Sequence, residues 1–596
     1  MAQVGDCDGC HRTRHQCGHC DRIATTVPPD TEPAGTEPAG TEAAGDAMSG
    51  YDESAKCGTD EYEGNLASLQ APDPYTVVMT LCNPDVAIPA KVAFASLGIV
   101  PSETLDDADG LINNPVGTGP YSLGAWERES QIVLEANPEY WGEAPLTPTA
   151  VFQWNNEGSQ RLVQLQSGAA DAIDNLGPND YAAVEGDANL SLVERSPLNV
   201  AYLGFNVDMS PFDDPLVRQA IALAVDRQRL IDNFYPRGSV AASQFLPPAM
   251  FGFDESFVDF ERNIEEATAL LTEAGYPDGL DVTLSYRAEA RPYVAQPTEV
   301  VTDIQAQLAE IGINVTLDLQ ESTTFVDNTS DGNVPFYLLG WGADFPDPTN
   351  FMDYHFTGTF AGFGAAFPDI AEKIAEAGST VDADARAALY AEINALLAEH
   401  IPMVPLAYSG SAMGYRADVV GAHASPLTSE RLAVMQAGDR DQLVLVQNGE
   451  PGGLYCSDET DGEALRICEQ IVEPLLQYET GGTASEPALA ESYESNEDLT
   501  VWTFHLRQGV TFQDGSEFDA TDVIESYRVQ WDASDPRHVG REGNFDYWGA
   551  LFGGFVNVPP PEPVETTEAS GEAPATTEAL ATETTEAVAT ETTAAG

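Results

Sequence analysis

Between residues 51 and 558 the chain alternates two hydrophobic periods, one near 3.6 residues and one of 2. The stretch PLVRQAIALAVDRQRLI puts Leu216, Ala220, Ile221, Ala224 and Val225 on one helical face. Asp213, Asp214 and Pro215 ahead of it supply an N-cap and a first-turn signal. A second helix is predicted to open near Asn263, with Glu265 and Glu266 at its positive end, and to stop at Gly275. A third runs from Pro297 to about Ile311, with Val300, Ile304 and Leu308 inward and Gly312 as its stop. INVTLDLQ follows directly, and its alternating Ile313, Val315, Leu317 and Leu319 predict a strand. Residues 379–400 form another amphipathic helix, and strand-like runs stand at 76–81, 151–154, 335–340, 443–447 and 501–507. Asp514-Gly515 predicts a hairpin turn. Helices and strands alternating in this way predict an α/β fold.

The two ends break the pattern. Residues 27–49 and 559–596 are rich in Thr, Glu, Ala and Pro and nearly devoid of large apolar side chains. Neither can build a core, so both read as disordered linker, and their shared composition makes them two halves of one linker. Ahead of the first half stands CDGCHRTRHQCGHC, with Cys7, Cys10, Cys17 and Cys20 and three histidines, His11, His15 and His19. Paired CxxC is a zinc-ligand pattern. Here the spacer is six residues and no helix or strand period supports it. A one-base shift of GC-rich codons would turn this segment into the composition of the linker. Residues 1–26 therefore read as linker DNA translated out of frame, with a zinc knuckle or an inert tail as the alternatives.

Length and charge narrow the function. The 596 residues, 43% hydrophobic, suit two large lobes or three to four domains. Acidic residues number 97 against 25 basic, for a net charge of −72. A phosphate backbone or an anionic membrane surface would be repelled, so no nucleic-acid partner is expected. No apolar run is long enough to span a bilayer as a helix. Lysines are only Lys56, Lys91 and Lys373; every other cation is arginine. Residues 1–26 lack the apolar core of a secretory signal. Yet Cys57, Cys82, Cys456 and Cys468 are compatible with two disulfides, Cys57–Cys82 and Cys456–Cys468, and an oxidising compartment; buried free thiols are the alternative. Enzyme chemistry finds no footing. His355, His400, His423, His505 and His538 form no HExxH or HxH, and neither GxSxG nor GxxxxGK[ST] occurs. GTGPYSLG (117–124) only mimics a glycine-rich loop. Neither catalytic residues nor a cofactor nor a metal is expected in the body of the chain.

Several runs together carry a family resemblance. WTFHLRQGVTFQDGSEFDATDVIESY (502–527) resembles the signature of the family 5 extracellular solute-binding proteins, the peptide-binding components of ABC importers. PALAESYESN (487–496), NPVGTGPYSLGAW (114–126), LEANPEYWG (134–142), LQSGAADAI (165–173), Phe205-Asn206 with DPLVRQAIALAVDR (214–227), and GWGADFPDPTNF (340–351) match further parts of the family pattern. The order differs: residues 441–558 normally precede 51–435. The chain therefore resembles a circularly permuted member, its break inside the acidic linker; a piece of a tandem array or a mis-assembled gene are the alternatives. The missing signal would then have stood before about Asp439.

The resemblance implies a two-lobed periplasmic-binding-protein fold (type II, cluster C-like), with a hinge and an interlobe ligand cleft. Lobe one would hold 51–205, 405–440 and 441–558, and lobe two 206–404, with the hinge near 200–210 and 400–412. It implies capture of di- or oligopeptides by lobe closure. By resemblance to dipeptide-binding relatives, Asp344 would bind the peptide's ammonium, and Arg291, followed by Pro292 and Tyr293, its carboxylate. Gly340 and Gly342 would let backbone approach the ligand, and Trp341 would pack over it or in the core. A turn-capping role for Asp344 and a surface role for Arg291 are the alternatives. Asp347 and Pro348 would shape the turn, and Arg218 and Asp226 are expected to be structural or surface charges. The permease and ATPase would be separate chains, and a periplasmic or extracellular, cell-surface-associated monomer is expected. A sugar, nickel chelate or haem as ligand, and a rearranged chain without function, remain open.

Overall fold

The computed structural model describes residues 49–559, apart from Asp60, 178–179, 258–259, 359 and 365–366. The paired CxxC segment and nearly all of both Thr/Glu/Ala-rich stretches lie outside the described residues.

Three large sheets organise the body. A seven-stranded sheet runs in the order Tyr121–Glu127, Gln131–Ala136, Thr149–Trp154, Gln442–Gln447, Ala172–Ile173, Ser411–Arg416, Leu190–Arg195. A five-stranded sheet runs Ser49–Asp52, Leu66–Asp73, Thr76–Leu81, Val501–Leu506, Ala490–Ser495. These two share one apolar core and make lobe one. Residues 441–558 are woven into both. Gln442–Gln447 lies parallel between Thr149–Trp154 and Ala172–Ile173, and Val501–Leu506 pairs with Thr76–Leu81.

Lobe two is built on a six-stranded sheet, Val240–Ala241, Met403–Tyr408, Asn199–Phe205, Phe336–Gly342, Leu280–Tyr286, Ile313–Leu319. Every position of Asn199–Phe205 is buried. Ala201, Leu203 and Phe205 enter the core on one face of the sheet, and Val200 and Tyr202 enter the core on the other. A strand covered on both faces reads as a continuous apolar run rather than an alternating one.

That strand corrects the expected lobe boundary. The sequence assigned residues up to 205, and those from 405 onward, to lobe one. Instead Asn199–Phe205 pairs along its length with Phe336–Gly342, and both it and Met403–Tyr408 belong to the lobe-two sheet. The chain crosses between lobes at residues 196–198 and 409–410. The two crossings are tied together: Asn199 Nδ2 donates to the Ser409 carbonyl (2.9 Å), and the Ser409 amide donates to Asn199 Oδ1 (2.8 Å).

Local signals place the helices. Asp214 caps Pro215–Ala224 by accepting from the Leu216 amide, and Asn263 caps Ile264–Glu273 by accepting from the Glu266 amide. Pro297–Ala309 and the strand Ile313–Leu319 stand where the pattern put them, with Gly312 between at φ 85°. The run after Pro215 is two helices rather than one. Val225 turns extended, and Asp226 starts the second helix, Arg227–Phe234, by capping the Arg229 amide. Asp514-Gly515 does form a turn, with Gly515 at φ 91°, but a single Thr511–Glu517 bridge flanks it rather than a ladder. Cys57 is joined to Cys82 and Cys456 to Cys468.

Candidate ligand-binding site

Strands Leu280–Tyr286 and Ile313–Leu319 are parallel, and Leu280–Tyr286 meets Phe336–Gly342 in parallel at Ser285–Tyr337. Their carboxyl ends therefore lie at one edge of the sheet, where open α/β sheets present ligand groups. The segments leaving that edge carry Arg287 and Arg291, Ser322, and Asp344.

Asp344 is half-buried and held by its own turn. Asn350 Nδ2 donates to Asp344 Oδ2 (2.9 Å), while Asn350 Oδ1 accepts from the Asp344 amide and from Trp341 Nε1, both at 3.1 Å. The Tyr547 hydroxyl, from lobe one, stands near the carboxylate and also faces the Thr460 carbonyl (3.5 Å). The Tyr547 ring packs edge-on against Phe94, centroids 4.7 Å apart. No basic side chain pairs with Asp344 among the described residues. Burial pushes its carboxyl up to about 6, against the downward pull of Asn350 and Tyr547.

The seam beside Asp344 is closed. Phe345, the next residue, packs into the lobe-one core, and Lys91 Nζ stands 5.7 Å from its ring. Lys91 is paired with Asp85 at 2.7 Å, and the Val86 amide donates to the Gly378 carbonyl of lobe two (3.0 Å). Asp353 faces the same charges, and burial pushes its carboxyl up to about 7.

Arg291 is exposed, and its Nη2 donates to Ser322 Oγ (3.2 Å). A second arginine, missed in the sequence, is better held. Arg287 is half-buried, with Nη1 donating to Ser322 Oγ (3.1 Å) and Nη2 to Tyr293 Oη (2.6 Å). Its only sequence signal is its position directly after the strand ending at Tyr286. In a chain with 97 acidic residues, neither arginine is paired with a carboxylate among the described residues.

The other predicted residues fall around this edge. The space over Gly340 is filled, not open: a Cβ there would run into the Tyr293 ring and lie 2.5 Å from the Val200 carbonyl. Tyr293 is buried in the lobe-two core, with its hydroxyl turned to Arg287. Gly342, two residues on, faces open space. Trp341 stacks on Tyr354 (4.8 Å, 20°) and meets His355 edge-on. Asp347 does more than shape the turn: besides capping Thr349 it takes a buried two-pronged pair from Arg386 (2.7 and 2.9 Å). Arg218 is buried, donating to the carbonyls of Phe212, His400 and Ile401.

The family model of the bacterial extracellular solute-binding proteins, family 5, matches residues 35–363 and 484–587, more than half of the chain. The chain belongs to that family. Among similar proteins is the dipeptide-binding protein of Escherichia coli (strain K12). It is 29% identical over 373 residues, 61% of this chain and 70% of the relative. Among solved structures, HbpA2 from Haemophilus parasuis matches with a TM-score of 0.57 at 28% identity, over 61% of this chain and 74% of that one. The periplasmic binding protein DppA from Helicobacter pylori, in complex with the peptide STSA, matches with a TM-score of 0.51 at 26% identity, over 60% of this chain and 71% of that one. The two-lobed fold of this family 5 protein is thus the periplasmic binding-protein fold. The family consists of solute-binding proteins rather than enzymes.

Proposed function

We propose that this protein captures peptides with a free amino terminus outside the cytoplasm and delivers them, by lobe closure, to the membrane subunits of an ABC importer carried on separate chains. Asp344 takes the α-ammonium. Arg287 and Arg291, steadied by Ser322, take the carboxylate. The observation that carries this reading is Asp344 itself. Its carboxylate is partly withdrawn from water where the two lobes meet, Asn350 donates to it, the lobe-one Tyr547 hydroxyl stands beside it, and no cation pairs with it among the described residues. An incoming ammonium supplies what the site is missing, and the unpaired arginines at the same sheet edge suit the opposite end of a zwitterion. The names of the dipeptide-binding relative and the peptide-bound neighbour support the same ligand class. The reading includes a permuted gene order and a monomer in the periplasm or at the cell surface.

Calorimetry and thermal-shift titration with Ala-Leu and Ala-Ala-Ala test this, beside their N-acetylated and C-amidated forms. A ligand binding only the native state stabilises it by about 2.7 kcal/mol at 100-fold over Kd. The free peptides are expected to bind and the N-acetylated forms to lose at least tenfold. Equal binding of free and N-acetylated peptides would remove Asp344 from the role given to it.

A further inference from the structure

A cavity of about 410 Å³ opens within lobe one, with Tyr140, Trp141, Arg431, Glu469, Glu473 and Arg507 in its wall. Asp344, Arg287 and Arg291 are not part of that wall. Tyr478 also lines the cavity, and it lies near enough to Asp344 to feel its charge.

Most polar groups in the wall are satisfied. Glu473 accepts from Thr118 Oγ1 (2.7 Å), Trp141 Nε1 (2.8 Å) and Tyr140 Oη (2.9 Å). Arg507 Nε donates to the Ala488 carbonyl (2.6 Å), and its guanidinium lies 4.4 Å from the Trp141 ring. The terminal nitrogens of Arg507 have no protein partner among the described residues, and two further groups, Glu469 and Arg431, stand outside this network. Glu469 Oε1 is sealed from solvent without a hydrogen-bond partner. The Arg431 side chain is half-buried and makes no hydrogen bond or ion pair among the described residues. Its charge acts on both Glu469 and Glu473 without pairing to either. Burial, then the neighbouring Glu430, push the Glu469 carboxyl up to about 8, against the downward pull of Arg431, Arg466 and the Ser429 hydroxyl.

A buried acceptor and an unpaired guanidinium on one cavity are each costly to leave bare. A solute with one positive and one negative end relieves both together; a solute with a single charge relieves one and strands the other. We propose that this cavity is a second binding site, taking a free amino acid with its ammonium on Glu469 and its carboxylate on Arg431. The assignment does not depend on the peptide reading of the cleft.

The probes are glycine and L-alanine, with methylammonium and acetate as the single-charge halves, titrated calorimetrically at pH 8. Glycine or L-alanine should bind the wild type and Asp344→Ala with the same affinity. Methylammonium and acetate should each bind at least tenfold more weakly. Glu469→Gln and Arg431→Gln should each weaken amino-acid binding at least tenfold while Ala-Leu affinity stays within twofold. Absence of amino-acid binding to the wild type overturns the proposal. So does its loss in Asp344→Ala, which would place the solute in the cleft, or its survival in both cavity variants. The first two arms need no cavity variant, so they decide the matter even if one variant fails to melt cooperatively. Loss of Ala-Leu binding with glycine binding intact would overturn only the cleft reading.

Discussion

A carboxylate partly withdrawn from water and left without a cation weakens the fold that holds it, and Asp344 is in that position among the described residues. Its carboxyl sits at about 6 in the folded chain, above the usual value near 3.9 in an unfolded one. The penalty is absent below pH 4, where both forms are protonated, and reaches its full size above pH 6. Asp344→Asn should therefore raise the melting temperature of the ligand-free protein at pH 8 and leave it unchanged at pH 4. The same substitution should weaken Ala-Leu binding by about 100-fold, since removing one partner of a desolvated charge pair costs 2–5 kcal/mol. A lower melting temperature at pH 8 would show that Asp344 is a structural cap and not a ligand group. His355 carries the opposite sign. Burial among aromatic rings pushes its imidazole down to about 3, with the Phe351 carbonyl 2.7 Å from Nδ1. It is neutral in the folded chain, so its penalty appears only as pH falls below about 6.5. Its ring signals in NMR should stay constant from pH 8 to pH 4; titration near 6.5 would refute that burial.

Among the elements, the edge formed by the carboxyl ends of Leu280–Tyr286, Ile313–Leu319 and Phe336–Gly342 does the positioning. Arg287 is fixed by Tyr293 Oη and Ser322 Oγ, whereas Arg291 is exposed and reaches Ser322 alone. A guanidinium already oriented loses less freedom on binding. Arg287→Met is accordingly expected to weaken dipeptide binding at least tenfold and Arg291→Met less than threefold; the reverse ranking would return the carboxylate to Arg291. Gly340→Ala tests the same edge from beneath. A Cβ 2.5 Å from the Val200 carbonyl meets backbone and cannot be accommodated by a rotamer change. A loss of about 1–3 kcal/mol in denaturant unfolding is expected, as for overpacked cores. These elements also show what a sequence reveals. Pro297–Ala309 was legible because its cap region, period and stop are local. Asp344 stood out through the resemblance of GWGAD to the family's dipeptide binders, and it lies just past the strand Phe336–Gly342. Arg287 was not, because its two partners lie 6 and 35 positions away and meet it only when strands pair. The break at Val225 was hidden because the apolar period runs through it while Asp226 offers the backbone another partner. The lobe boundary was hidden because Asn199–Phe205 is apolar on both faces and its period does not say which sheet it joins.

At the scale of the whole molecule, the proposed permuted segment order can be weighed against the topology. Residues 441–558 supply central strands to both lobe-one sheets, so neither sheet is complete without them. A buried network locks them in: Arg466 pairs with Asp174 (2.6 Å) and Glu430 (2.9 Å), and Arg195 pairs with the same two carboxylates. The first and last described segments meet. Tyr51 Oη donates to Asp532 Oδ2 (2.6 Å) and accepts from Asn557 Nδ2 (2.9 Å). Chains tolerate permutation where their ends are adjacent and the new cut severs few contacts. The turn at Gly438, φ 58°, is such a place. Arg440, two residues past it, pairs with the exposed Asp418 (2.6 Å), a kind of pair that contributes about 0–1 kcal/mol, and with the buried Asp171 (2.8 Å), a contact the cut leaves possible because both residues remain in the chain. The fold should therefore be indifferent to order. A chain rebuilt with 439–558 first, then a Thr/Glu/Ala-rich linker, then 49–437 should melt within a few degrees of the present one. It should also bind Ala-Leu with the same affinity, because Asp344, Arg287 and the Asn199–Ser409 clasp all lie inside the second segment. A rebuilt chain that folds only to a non-cooperative state would mean that the connection through Gly438 is itself needed to bring the lobe-one strands together, and the permuted reading would fall.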